Sequence, residues 1–107
     1  MPHYNKLVRD RIPDIIKASG KKCVTAMLEH AEYLTQLEKK LIEECDEYLA
    51  SKDVRGQIEE LADILEVVYA LAEAKGVTVE ELESIRTRKA EERGAFKERT
   101  LLKWVDD

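Results

Sequence analysis

At 107 residues the chain is one domain's worth of protein, able to withdraw roughly two-thirds of its unfolded surface from water. Hydrophobic residues at 44% and charged residues at 38% exclude a disordered or fibrous protein and suit long helices whose thin apolar faces call for a partner chain. A net charge of −5 supplies no basic field for a polyanion, which excludes nucleic acid as an expected partner and admits a small anionic substrate only if a metal supplies positive charge.

The opening MPHYNKLVRD lacks the apolar run of a signal peptide, and no stretch approaches the roughly 20 apolar residues of a membrane span. Lys6, Arg9 and Arg11 concentrate positive charge there. His3 reads as a surface residue and Tyr4 as an aromatic that could stack on a base. Pro13 followed by DIIKAS predicts a two-turn helix, with Gly20 as its stop. The next segment, KCVTAML, reads as extended. Cys23 and Cys45 fit no metal spacing, and two isolated thiols in an acidic helical chain point to reduced cysteines and a cytoplasmic location.

From about Glu29 to Ala50 the pattern is helical, with Ala31, Leu34, Leu37, Leu41, Cys45, Tyr48 and Leu49 recurring at three and four residues. Asp53 is placed to cap a second helix running to about Lys75, whose apolar side carries Ile58, Leu61, Ile64, Leu65, Val68, Leu71 and Ala72. Gly76 predicts its end in the left-handed region. Thr78 and Glu81 form a capping box for a third long helix, flanked by a Val77–Leu82 staple and running to about Glu92. The tail carries Phe96, Leu101, Leu102, Trp104 and Val105, too apolar to be left free and suited to docking, for instance on a second chain. The whole reads as one domain, 1–107, with no linker.

One repeat stands out, in EECDEYLASKDVRGQIEELAD at residues 43–63. Glu43, Glu44 and Glu47 form one acidic triplet; Glu59, Glu60 and Asp63 form another. At about 100° per residue Glu44 lies at the edge of its helix's apolar arc and Glu47 lies further out, and Glu60 and Asp63 stand likewise on the next helix. A short turn makes the two helices antiparallel, so four carboxylates can converge. Convergence without a counter-ion is costly, and an all-oxygen set suits magnesium or manganese. Glu43 and Glu59 point further towards solvent, and either could orient a water. The alternative is two solvated helix faces, with Lys6, Arg9 and Arg11 serving only solubility.

Three segments in order carry a resemblance: YNKLVRDRIPDII at 4–16, EExxE followed by ExxD, and KAEERGAF at 89–96. Together they resemble the MazG-like, phosphoribosyl-ATP-pyrophosphohydrolase-like family of all-α nucleoside triphosphate pyrophosphohydrolases. The resemblance implies an all-α antiparallel bundle completed by oligomerisation, as a dimer or tetramer. It implies magnesium held by Glu44, Glu47, Glu60 and Asp63, Glu43 as a helper carboxylate, and Lys6, Arg9, Lys89 and Arg93 as phosphate contacts. The implied reaction cleaves an NTP or dNTP between the α and β phosphates, giving the monophosphate and pyrophosphate. Phosphoribosyl-ATP hydrolysis in histidine biosynthesis and a non-catalytic, partner-binding helical dimer are the alternatives. Many relatives have a second glycine where this chain has Ala95, and the spacing between the motifs is short.

Overall fold

The computed structural model describes residues 5–107; His3 and Tyr4 lie outside them. Four helices follow one another: α1 (Ile12–Ala18), α2 (His30–Ala50), α3 (Val54–Ala74) and α4 (Val79–Arg93). The described residues are thus all-α, as expected, and no strand occurs among them. The stretch read as extended, 22–28, is neither helix nor strand, and its Val24 and Met27 are fully exposed. Among the described residues no helix is long and apolar enough to cross a membrane.

The helix ends follow local chemistry. Pro13 occupies the first turn of α1, where its missing N–H costs nothing, and Gly20 (φ 87°) closes the exit. Asp53 accepts a hydrogen bond from the Gly56 N–H at 2.7 Å and starts α3. Thr78 Oγ1 accepts from the Glu81 N–H at 3.1 Å and starts α4. Gly76 (φ 84°) lets the chain leave α3 in a backbone region that L side chains avoid. Asp53→Ala is expected to cost about 1 kcal/mol of stability, read from thermal or denaturant unfolding.

Only three residues separate α2 from α3, and these two helices pack side by side as an antiparallel hairpin, with α4 sparsely placed against α3. The seam differs from the one that periodicity predicts. Among the described residues the buried ones are Leu37 and Glu44 on α2 and Val67 on α3. Glu44 therefore lies in the seam, not at the edge of the apolar arc, and Val67, absent from the expected apolar side of α3, is that helix's buried residue among those described.

Leu37 is buried as expected, and Leu34, Leu41, Ile64 and Leu71 are half-buried, but part of the expected apolar set lies elsewhere. Val54, Ile58, Leu61, Leu65, Val68 and Ala72 alternate at spacings of four and three, the heptad pattern of a helix–helix seam. At about 100° per residue this stripe stands roughly 120° round α3 from the line of Glu60 and Val67. Ile42, Cys45 and Leu49 stand a similar angle round α2 from Leu37 and Glu44, in the same sense. Because the helices are antiparallel, both stripes emerge on one side of the hairpin, and the acidic residues on the other. Ile42, Leu49, Ile58, Leu61 and Leu65 are all exposed.

Global dimensions agree. A self-contained chain of 12.3 kDa exposes about 6,100 Å², whereas this one exposes 10008 Å². Its radius of gyration is 18.3 Å, against about 13 Å for a compact domain of this length. The tail expected to dock lies off its own helices, with Phe96 98% and Trp104 76% exposed. One chain thus supplies a helical hairpin with flanking helices rather than a closed bundle.

Candidate metal centre

Glu44 and Glu47 stand one turn apart on α2, and Glu60 faces them from α3. One carboxylate oxygen from each lies within 4.8 Å of the others, close enough to ligate one ion. Glu44 Oε2 and Glu60 Oε2 are buried and lack a hydrogen-bond partner among the described residues. A buried carboxylate oxygen without a donor is costly, and three carboxylates in mutual range make it costlier. Burial, reinforced by hydrogen-bonding contact with Glu60 and Glu47 and by the nearby charge of Asp63, pushes the Glu44 carboxyl up to about 7. A hard divalent cation removes both penalties, and the all-oxygen donor set fits magnesium or manganese.

The other expected site residues fall into two groups. Asp63 reaches the same edge but not the three-oxygen group: its Oδ1 accepts from Arg9 Nη2 at 2.5 Å. Lys6 Nζ lies 3.5 Å from Glu43. The N-terminal segment therefore crosses the acidic side of the hairpin, tied to α2 by Lys6 and to α3 by Arg9. Glu43 is half-buried beside the triad, whereas Glu59 is exposed and, among the described residues, pairs only with Arg55, at 3.9 Å. Lys89 and Arg93 are exposed on α4, and among the described residues no ion pair joins them to the acidic edge.

Sequence reasoning missed Lys40. Its Nζ lies 3.6 Å from Glu44 and 3.9 Å from Glu43, and its side chain is mostly covered. The signal was present, since a lysine four residues before a glutamate on a helix shares its face. Lys40, Lys39 and Lys6 line a shallow groove with Glu43, between the N-terminal segment and α2. The edge thus couples an acidic, cation-seeking pocket to a lysine-lined groove. Such a juxtaposition suits a substrate that arrives as polyphosphate and is met by metal on one side and ammonium groups on the other.

Cys23 and Cys45 are both free, as expected. No curated protein and no solved structure matches the chain. A family model described as phosphoribosyl-ATP pyrophosphohydrolase matches residues 4–90, a span that takes in the basic opening, both acidic triplets and most of α4. The chain belongs to this MazG-like family of phosphoribosyl-ATP pyrophosphohydrolases.

Proposed function

We propose that the chain is a divalent-metal-dependent hydrolase that cleaves a nucleoside triphosphate between the α and β phosphorus atoms, with phosphoribosyl-ATP as its substrate. The carboxylate triad carries this reading, because two of its buried oxygens have no donor among the described residues and a lysine-lined groove adjoins it. The family description favours phosphoribosyl-ATP over the unsubstituted NTP or dNTP that the sequence motifs alone suggest. Both substrates share the triphosphate and the scissile bond.

In this reading Glu44, Glu47 and Glu60 hold magnesium or manganese, with Asp63 as a fourth carboxylate. When bound, the ion supplies Lewis-acid polarisation of the phosphoryl oxygens and a more acidic water. Glu43, half-buried beside the triad, orients the attacking water and takes its proton. Attack at the α phosphorus breaks its bond to the bridging oxygen, and pyrophosphate leaves with that electron pair. Lys6, Lys39 and Lys40 meet the charge on the leaving pyrophosphate. Arg9, with its planar fork, aligns Asp63 and contacts phosphate; Lys89 and Arg93 are further phosphate contacts from α4. The exposed apolar side of the hairpin docks on a second copy, so that two hairpins form a four-helix bundle.

Lys40→Ala is expected to lower kcat/KM roughly tenfold or more through loss of a charged phosphate contact, with little change in unfolding temperature. Steady-state kinetics and thermal melting on the same preparations check it. The function itself is tested by assaying phosphoribosyl-ATP beside a panel of NTPs and dNTPs, with and without magnesium, and identifying products by mass. Magnesium-dependent conversion of phosphoribosyl-ATP to the monophosphate and pyrophosphate is expected. Faster turnover of an ordinary triphosphate would move the assignment to that nucleotide, and no pyrophosphate from any of them would overturn it.

A further inference from the structure

Beyond Gly94 (φ 85°), which ends α4, the chain runs without helix or strand to Asp107. This arm lies outside the family-matched residues 4–90. Phe96, Leu101, Leu102, Trp104 and Val105 fall within ten residues, and each is at least 71% exposed. Five large apolar side chains in so short a stretch are a heavy cost for a segment that stays in water, about 1.5–3 kcal/mol for each that can be buried.

The exposed area is more than one hairpin-on-hairpin contact hides. The chain exposes 10008 Å², about 3,900 Å² above a self-contained protein of its mass. The hairpin's apolar side is about 32 Å long, from the 21-residue helices, and roughly 20 Å across. Docking that side on a second hairpin hides on the order of 1,000 Å² per copy, the lower bound for an obligate homodimer. Most of the excess survives such docking, and the arm is its most apolar part. The arm's five large apolar side chains stay exposed on their own chain. Once the hairpin sides have met, the apolar side of its own hairpin is no longer open to it.

We propose that residues 94–107 form an exchanged arm, which in a homodimer of this chain lies across the second copy and buries Leu101, Leu102 and Trp104 there. The proposal rests on the dimer included in the functional reading above, but not on its chemistry. It assigns the C-terminal segment to assembly, as the strap that enlarges a hairpin-on-hairpin contact standing at the lower bound of obligate size.

Trp104 is the chain's single tryptophan and reports on the arm directly. A dilution series of the full chain, followed by sedimentation and by iodide quenching of Trp104, gives the first reading. Trp104 should be shielded where the protein is dimeric and become freely quenched as it dissociates. A photoreactive benzoyl group carried at position 102 in place of Leu102 gives the second. Irradiation of mixed isotope-labelled and unlabelled chains should yield adducts that join the two. A dimer whose Trp104 is fully quenched would overturn the arm while leaving the dimer standing. Adducts confined to one chain would show the arm folded on its own copy and overturn the exchange. A monomer at every concentration would overturn arm and dimer together, while the product assay would still report on the chemistry.

Discussion

Glu44→Gln is expected to reduce magnesium-dependent pyrophosphate release roughly a thousand-fold or more, because it removes one ligand charge from the site that organises the reaction. The same change should make the ion-free protein more stable. Burial and the carboxylates of Glu60 and Glu47 raise the Glu44 carboxyl from 4.5 to about 7. The folded chain therefore holds a proton that the unfolded chain has released, and this contribution is full below about pH 4.5 and lost as pH rises through 7. Ion-free wild type should lose stability between pH 5 and 8, by at most about 3 kcal/mol, and the glutamine variant should show a much flatter profile. Magnesium should restore the wild type at pH 8 and leave the variant little changed. Urea unfolding at several pH values, with and without magnesium, measures all three. A variant with near-wild-type turnover, or one that melts earlier at pH 8 without metal, would contradict the site.

Arg9→Ala carries the second large effect. The Arg9–Asp63 pair is partly exposed, so its loss should cost only about 0–1 kcal/mol of stability. Its kinetic cost should be larger. Asp63 would lose the group that aligns it beside the triad, and the substrate would lose a forked donor to phosphate. A rise in KM and a fall in kcat/KM of roughly ten- to hundred-fold are expected, with the melting temperature nearly unchanged. Arg9→Lys should recover part of this, since an ammonium group restores the charge but not the fork. Arg93→Ala should also raise KM, because α4 supplies that contact in the functional reading. Kinetics and melting on the same preparations separate the roles. An earlier-melting Arg9→Ala whose folded fraction turns over normally would assign the arginine to pinning the N-terminal segment alone.

Much of the helical order was legible because short-range chemistry sets it. Asp53 and Thr78 cap the helices they were expected to cap, and Gly20 and Gly76 take the positive φ values that end α1 and α3. The seam was legible only in part: Leu37 is buried as expected, whereas Val67 and Glu44 were not expected in it. Periodicity shows where a helix is apolar but not which neighbour covers that side, and here the most apolar stripes of α2 and α3 both face away from their mutual contact. Glu44 was consequently placed at an arc's edge when it is buried. The triad's convergence was legible from matched spacing across a short turn. Arg9 on Asp63 was not, since these residues are 54 positions apart and nothing local specifies the pairing. Lys40 was legible in principle, four residues before Glu44, but a lysine at that spacing is equally at home on a solvated helix face.

The central claim is that the acidic side of the α2–α3 hairpin is a divalent cation site. Crystals of the full chain grown with manganese, with data collected at the manganese absorption edge, test it most directly. An anomalous peak is expected within coordinating distance of oxygens from Glu44, Glu47 and Glu60, and it should vanish in Glu44→Gln. Saturating manganese with no peak at these three carboxylates, or a peak unaffected by the substitution, would contradict the account.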